Sequence, residues 1–339
     1  MEHYDPAALR AEYNALESGD VRLRAIRSAV TAAELAGDRE ALLHFHHDLI
    51  KESVFSGDRY QALIDFPQYL AAVKEDPALE REWTWDTLWM FKWILEASTE
   101  FYQIEKKQIL RWFSEFRREL TVNGYSLKPF YNYRAIFYSY CDRARFRLDY
   151  EDFRNTAADS MSDRGAYEDD MIVRFELEIG NRASARKTAQ KIFDSGYRSE
   201  EIPSATYGYL LEDARLCGDT EYAADCAKKL RPLCEGERFK LQRSGILLCW
   251  DAVSDPETGL AFYLRNLHLR EGSRNPFLCY WFDRGAARLL QAAADAGLTA
   301  AGIPDLRAAA ASAAANAQDL AAKFDARNGS DYFTKKLAE

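Results

Sequence analysis

Residues 218–234 read GDTEYAADCAKKLRPLC, and the way this stretch opens and recurs decides the fold. A glycine at the end of an amphipathic run takes the left-handed conformation that closes a helix. The aspartate behind it then accepts hydrogen bonds from the first free N–H groups of the next one. Beyond that joint, Ala223, Ala227 and Leu230 fall at i, i+4 and i+7, which is one apolar stripe on a helix. The same punctuation stands at Ser18-Gly19-Asp20, Ala36-Gly37-Asp38, Ser56-Gly57-Asp58 and Ile179-Gly180-Asn181. Gln61 follows Asp58 at the spacing of a capping box. Pro6, Pro129, Pro203, Pro256, Pro276 and Pro304 stand near expected helix starts, where a missing N–H costs least. Pro67, inside LIDFPQYL, is expected to kink or break its helix.

Between these marks the sequence predicts helical pairs at 5–17/22–36, 39–55/59–75, 84–101/104–122, 128–147/150–161, 167–179/182–195, 203–216/219–233, 238–253/256–270 and 277–296/305–327. Pair starts recur roughly every 34 to 45 residues, and no sustained alternating run competes as a strand. One hairpin cannot bury its apolar face alone, so stacked neighbours must share a core. In GDRYQALIDFPQYLAAVKEDP (57–77), Ala62, Phe66 and Tyr69 hold small–large positions that recur as Ala185, Ala189 and Ile192 in GNRASARKTAQKIFDSG. On these residues the chain resembles the tetratricopeptide-repeat superfamily. The resemblance implies an all-α, right-handed superhelical solenoid of about seven to eight helical hairpins whose first helices line a concave surface. The expected organisation is one continuous array over 1–339. It comprises N-terminal hairpins to 77, aromatic-rich overlong repeats over 78–161, regular repeats over 162–297, and an Ala-rich capping helix and tail over 298–339. In that last helix Leu306, Ala310, Ala313, Ala317, Leu320 and Phe324 form a narrow stripe, and Asn328-Gly329 supplies the stop.

Composition narrows the function. Hydrophobic residues make up 47% of the chain, enough for a sizeable core, and the formal charge is −9. That balance argues against binding nucleic acid or anionic membrane with the whole surface. No apolar run reaches the roughly 18 residues of a membrane span. The first residues, MEHYDPAALRAEYNALESGD, lack the basic and apolar regions of a secretory signal, so a cytoplasmic protein is expected. Its six cysteines, without CxxC spacing, are then expected as buried thiols. There is no GxxxxGK[ST], HExxH, GxSxG or GxGxxG, so no catalytic residue and no cofactor is assigned.

Three stretches are candidates for a site. LHFHHDL (43–49) carries three of the five histidines, and His44, His47 and Asp48 on one side of a helix have the donor types of a zinc or iron site. The remaining histidines are His3 and His268 and no second cluster completes the set, so a repeat helix is the better reading. The second stretch is the aromatic block around WTWDTLWMFKWILEA and FYNYRAIFYSYCDRARF, with five of the seven tryptophans. There Trp85, Trp89, Lys92 and Glu96 form one helical stripe, and Tyr131, Arg134, Tyr138, Asp142 and Arg145 a second. Phe277, Trp281, Arg284 and Arg288 form a third. Rings supply contact area at low entropy cost and guanidinium forks bind carboxylates, so such stripes suit a peptide-binding groove. The competing account is that oversized rings fill gaps in overlong repeats. The third stretch, EKKQILRWFSEFRREL (105–120), is basic beside Trp112. Its interspersed Glu105, Glu115 and Glu119 favour a solvated face over an RNA surface.

The expected function is a non-catalytic scaffold that binds a protein or peptide, through the partner's acidic or carboxylate groups, at Trp85, Trp89, Lys92, Tyr131, Arg134, Tyr138, Trp281 and Arg284. Two alternatives stand beside it. One is a ligand- or peptide-sensing regulator, since the size and groove are similar to bacterial peptide-sensing regulators, although no DNA-binding helix–turn–helix is present. The other is an enzyme or enzyme subunit with a small-molecule pocket under the aromatic block. Asn275–Arg284 partly resembles a repeat of a prenyltransferase α-subunit, with different spacing and a single occurrence.

Overall fold

The computed structural model describes residues 4–56 and 58–339, so His3 and the Gly57 joint lie outside the described residues. Within them are 18 α-helices, a 3₁₀ turn at Arg238–Lys240 and one isolated bridge between Ala300 and Ile303. None of these helices is long and apolar enough to cross a membrane. All six cysteines are free, and Cys226, Cys234, Cys249 and Cys279 are buried.

The chain groups into two compact units. The first runs to Tyr133 and includes Asp159–Met161. It contains α1 (Pro6–Asn14), α2 (Asp20–Ala36), α3 (Arg39–Ser56), α4 (Arg59–Lys74), α5 (Pro77–Glu82), α6 (Thr84–Thr99) and α7 (Lys106–Val122). The division falls inside α8 (Lys128–Ser139). The second unit is Arg134–Ala158 with Ser162–Glu339. It contains α9 (Arg143–Asn155), α10 (Ala166–Glu178), α11 (Arg182–Ser195), α12 (Ser204–Cys217), α13 (Thr220–Cys234), α14 (Leu241–Ser254), α15 (Pro256–Gly272), α16 (Pro276–Asp295), α17 (Leu306–Asn328) and α18 (Tyr332–Ala338).

Consecutive helices pack on one another, and the first helices of successive hairpins also touch. In the first unit both α3 and α4 meet α6; in the second, α10, α12, α14 and α16 pack in series. That is how hairpins too small to bury their own faces share a core. The joints work as their chemistry dictates. Gly37 and Gly218 are left-handed, at φ 66° and 78°. Asp38 accepts the Ala41 N–H at 3.1 Å and Asp219 the Tyr222 N–H at 3.3 Å, so each starts the next helix.

Three local expectations are corrected. Helix α4 runs through Pro67 without a break, the exposed proline lying on the solvent side while Ala62, Leu63, Phe66 and Tyr69 are buried. Gln61 does not close a capping box on Asp58. Its amide donates to Asp65 at 2.9 Å, one turn on. The helix expected over 128–147 stops at Ser139, because Asp142 caps α9 by accepting the Arg145 N–H at 3.1 Å. The stripe drawn from Tyr131 to Arg145 is therefore split between two helices.

The tightest packing joins α14 to α16. A β-carbon on Gly245 would overlap the Trp281 carbonyl oxygen, and one on Gly285 would overlap that of Gly245. The two helices touch backbone to backbone, which only glycine permits. Gly259 of α15 fits the same junction, where a β-carbon would fall 2.5 Å from Leu289 and 2.6 Å from Asp251. Gly245→Ala and Gly285→Ala are each expected to destabilise the second unit by about 3 kcal/mol, the upper end of the overpacking range. Gly272→Ala, with nothing within 4 Å of the new methyl, should stay within about 1 kcal/mol of the parent. Urea unfolding of the three variants checks this, and parental stability in Gly245→Ala would contradict it.

Candidate functional site

In the first unit, α6 carries the aromatic stripe. Trp85 is 39% exposed and Trp89 half-buried, with ring centroids 6.1 Å apart, and Tyr125 stands edge-on to Trp85 at 6.1 Å. Lys92 departs from expectation, being fully buried. Its ammonium sits 3.3 Å over the Trp89 ring and donates to the Met161 carbonyl at 3.2 Å. It thereby ties Asp159–Met161 to this unit, helped by Asp159, which accepts the Ser126 N–H at 2.7 Å. Tyr131 is half-buried against Phe130. Much of the block is core: Trp83 and Trp112 are buried, and Phe66, Phe91 and Phe116 meet at 5.0 and 5.5 Å.

LHFHHDL lies on α3, where His44 and His47 lean on the Trp83 ring, with centroids 4.6 and 5.8 Å away. One Asp48 oxygen accepts the Tyr13 hydroxyl at 2.6 Å and lies 3.3 Å from Arg10; the other faces His47 Nδ1 at 3.3 Å. Burial pushes the Asp48 carboxyl up, but these partners outweigh it and hold it below the usual carboxylate range. Among the described residues, no group of three or more His, Cys, Asp or Glu is arranged around a metal position. On α7, Trp112 is buried beneath the basic face, where Arg118 meets Glu119 at 2.5 Å and Lys74 pairs with Glu115.

In the second unit, Arg134 forks onto Asp149 at 2.8 and 2.5 Å, and the buried Tyr138 accepts from Arg145 at 3.0 Å. These two residues knit α8 to α9. Trp281 and Arg284 are only 4% and 2% exposed, so they do not form an open groove wall. What covers them is the chain itself. Asp325 caps α18, its two carboxylate oxygens accepting the N–H groups of Phe333 and Thr334 at 2.9 Å each. Phe333 is then fully buried among Phe324 (4.7 Å), Tyr280 (5.1 Å), Tyr140 (5.6 Å) and Phe277 (6.2 Å).

The backbone of α18 is held as a ligand would be. The Tyr280 hydroxyl donates to the Phe333 carbonyl at 2.7 Å. Arg284 Nε donates to that of Lys336 at 2.7 Å, Arg288 to that of Leu337 at 2.7 Å, and Arg215 to that of Glu339 at 2.8 Å. Carbonyls in the last turn of a helix have no partner within it, and guanidinium groups bind such acceptors strongly. Glu212 orients two of these arginines, 2.8 Å from Arg284 and 3.0 Å from Arg215. Burial raises its carboxyl, yet Arg284, Arg215 and Lys336 together keep it below its ordinary value. The sequence reading named Trp281, Arg284 and Arg288 as one stripe and missed Tyr140, Glu212, Arg215 and Tyr280. The readable signal was the Tyr332-Phe333 pair, two adjacent aromatics in the short tail SDYFTKKLAE.

Next to this seat, Asp170 of α10 is buried, with Thr206 donating to it at 2.5 Å. Burial pushes its carboxyl up to about 6, with Arg243, Glu201 and Arg174 nearby. No family model matches this chain, and no curated protein matches it.

A raised carboxyl pKa means that ionising Asp170 costs the folded state, so its burden grows as pH rises from 3.8 to about 6. Asp170→Asn, which retains an acceptor for Thr206, is expected to stabilise the second unit at pH 7.5 by up to about 3 kcal/mol. That advantage should vanish below pH 4. Denaturant unfolding at the two pH values checks it, and an advantage independent of pH would contradict the assignment.

Proposed function

We propose that this protein is a non-catalytic binding module of tetratricopeptide-like helical hairpins, and that it takes a helical peptide segment of a protein partner on the α12–α16 face of its second unit. The observation that carries this reading is the row formed by Arg215, Arg284, Arg288 and Tyr280, whose donors converge on main-chain carbonyls of a short helix. Donors aimed at a backbone recognise a peptide as such, and the aromatic pocket beside them selects one side chain. The contributing helices α12 and α16 are first helices of their hairpins, the ones that line the concave side in tetratricopeptide-like superhelices. Trp85 with Trp89 offers a second exposed aromatic surface on the first unit, suited to the same class of partner.

The test is affinity capture from the native host, mass-spectrometric identification of the retained protein, and reconstitution with purified components. The Arg215→Ala/Arg288→Ala double variant is expected to weaken the reconstituted complex at least tenfold, about 1.4 kcal/mol or more. An unchanged complex with the folded double variant, or a stoichiometric small molecule as sole ligand, would overturn the reading.

A further inference from the structure

We infer that α18 is a displaceable occupant of this face, and that the partner it stands in for carries a short helix with an aromatic anchor. The inference rests on the binding role proposed above and names the chemistry of its ligand. Three observations carry it.

First, α18 is only seven residues long, too short to be a stable helix by itself, and is joined to α17 through the left-handed Gly329 and the exposed Asp331. Its hold is local: Phe333 in its pocket, Tyr332 edge-on to Tyr140 at 5.3 Å, the Asp325 cap and a row of backbone acceptors. Segments of that kind open at lower free energy than helices in a packed core.

Second, its sequence shows what the face selects. Phe333 fills the ring pocket, and Lys336, three residues on, offers its carbonyl to Arg284 Nε at 2.7 Å while its ammonium pairs with Glu339 at 2.5 Å. Lys335 is exposed and likewise pairs locally, with Asp331 at 3.0 Å. A buried aromatic ring and the main-chain oxygens of a short helix are therefore the features the surface reads.

Third, the tail leaves the face incompletely satisfied. Arg284 Nη1 and Trp281 Nε1 are buried and make no hydrogen bond while α18 is in place. An unpaired buried donor is costly, so an occupant with an acceptor at this point binds better than the tail does. The tail compensates through its tether, which gives it a high effective concentration.

The probe is a fluorescent peptide of residues 328–339, NGSDYFTKKLAE, followed by anisotropy against three forms of the full chain and one truncation. The parent, with its seat filled, should bind at least about tenfold more weakly than either Phe333→Ser or the chain ended at Gly329. Arg288→Ala placed in the Phe333→Ser background should weaken peptide binding severalfold. A peptide with alanine for its aromatic anchor should lose binding at least about tenfold. Three results would overturn the inference: no binding to either opened form, binding indifferent to the peptide's aromatic residue and to Arg288, or loss of cooperative folding in both opened forms. The last would make α18 an integral core element. If the peptide binds as expected but no host partner depends on Arg215 and Arg288, the functional reading fails while the displaceable tail stands.

Discussion

Gly245 and Gly285 let α14 and α16 meet backbone to backbone, and the second unit is arranged around that approach. Two helices at this distance cannot slide or rotate without a carbonyl striking a Cα, so their relative setting is fixed by sterics and not merely by apolar area. Helix α16 is buried along most of its length, and it carries Phe277, Tyr280, Trp281, Arg284 and Arg288. Fixing it therefore fixes the recognition face. Arg215 arrives from α12, which packs on α14 in turn. A face built from packed helices holds its donors more firmly than one built on loops.

That face concentrates cations and aromatic rings in a chain whose net charge is −9. Glu212 resolves the local conflict by standing between Arg284 and Arg215, so neither guanidinium is buried alone. Arg284 Nε and Arg215 Nη1 are then directed at the main-chain oxygens of Lys336 and Glu339. Such an arrangement recognises the end of a helix through atoms that every sequence possesses. Selectivity then falls to the Phe333 pocket. The basic face of α7, with its interleaved carboxylates, shows no comparable convergence.

The local punctuation was legible because Gly and Asp at helix joints act over three or four residues. Joints at Gly37-Asp38 and Gly218-Asp219 sit where the sequence puts them. Errors arose where two local signals compete. Asp142 was read as a side chain on a continuing stripe, although its carboxylate starts a new helix. Pro67 was read as a breaker, although a buried apolar face carries the helix past it. The site was only half legible. Periodicity groups Trp281, Arg284 and Arg288 on one helix, but no pattern within α16 tells whether its stripe faces solvent, core or another part of the chain. Likewise Lys92 shares a stripe with Trp89, yet its ammonium is committed to Met161, 69 residues away. The glycine contact was equally silent, because a lone glycine in a helix reads as a weak position until its neighbour is known.

Hydrogen–deuterium exchange of the intact chain, resolved by peptide fragments, tests most directly whether α18 is a ligand-like occupant on a preorganised face. The account predicts that amides of α18 exchange at least about a hundredfold sooner than those of α14 and α16, which stay protected while α18 opens. Equal protection across α14, α16 and α18, lost together in one cooperative step, would contradict it.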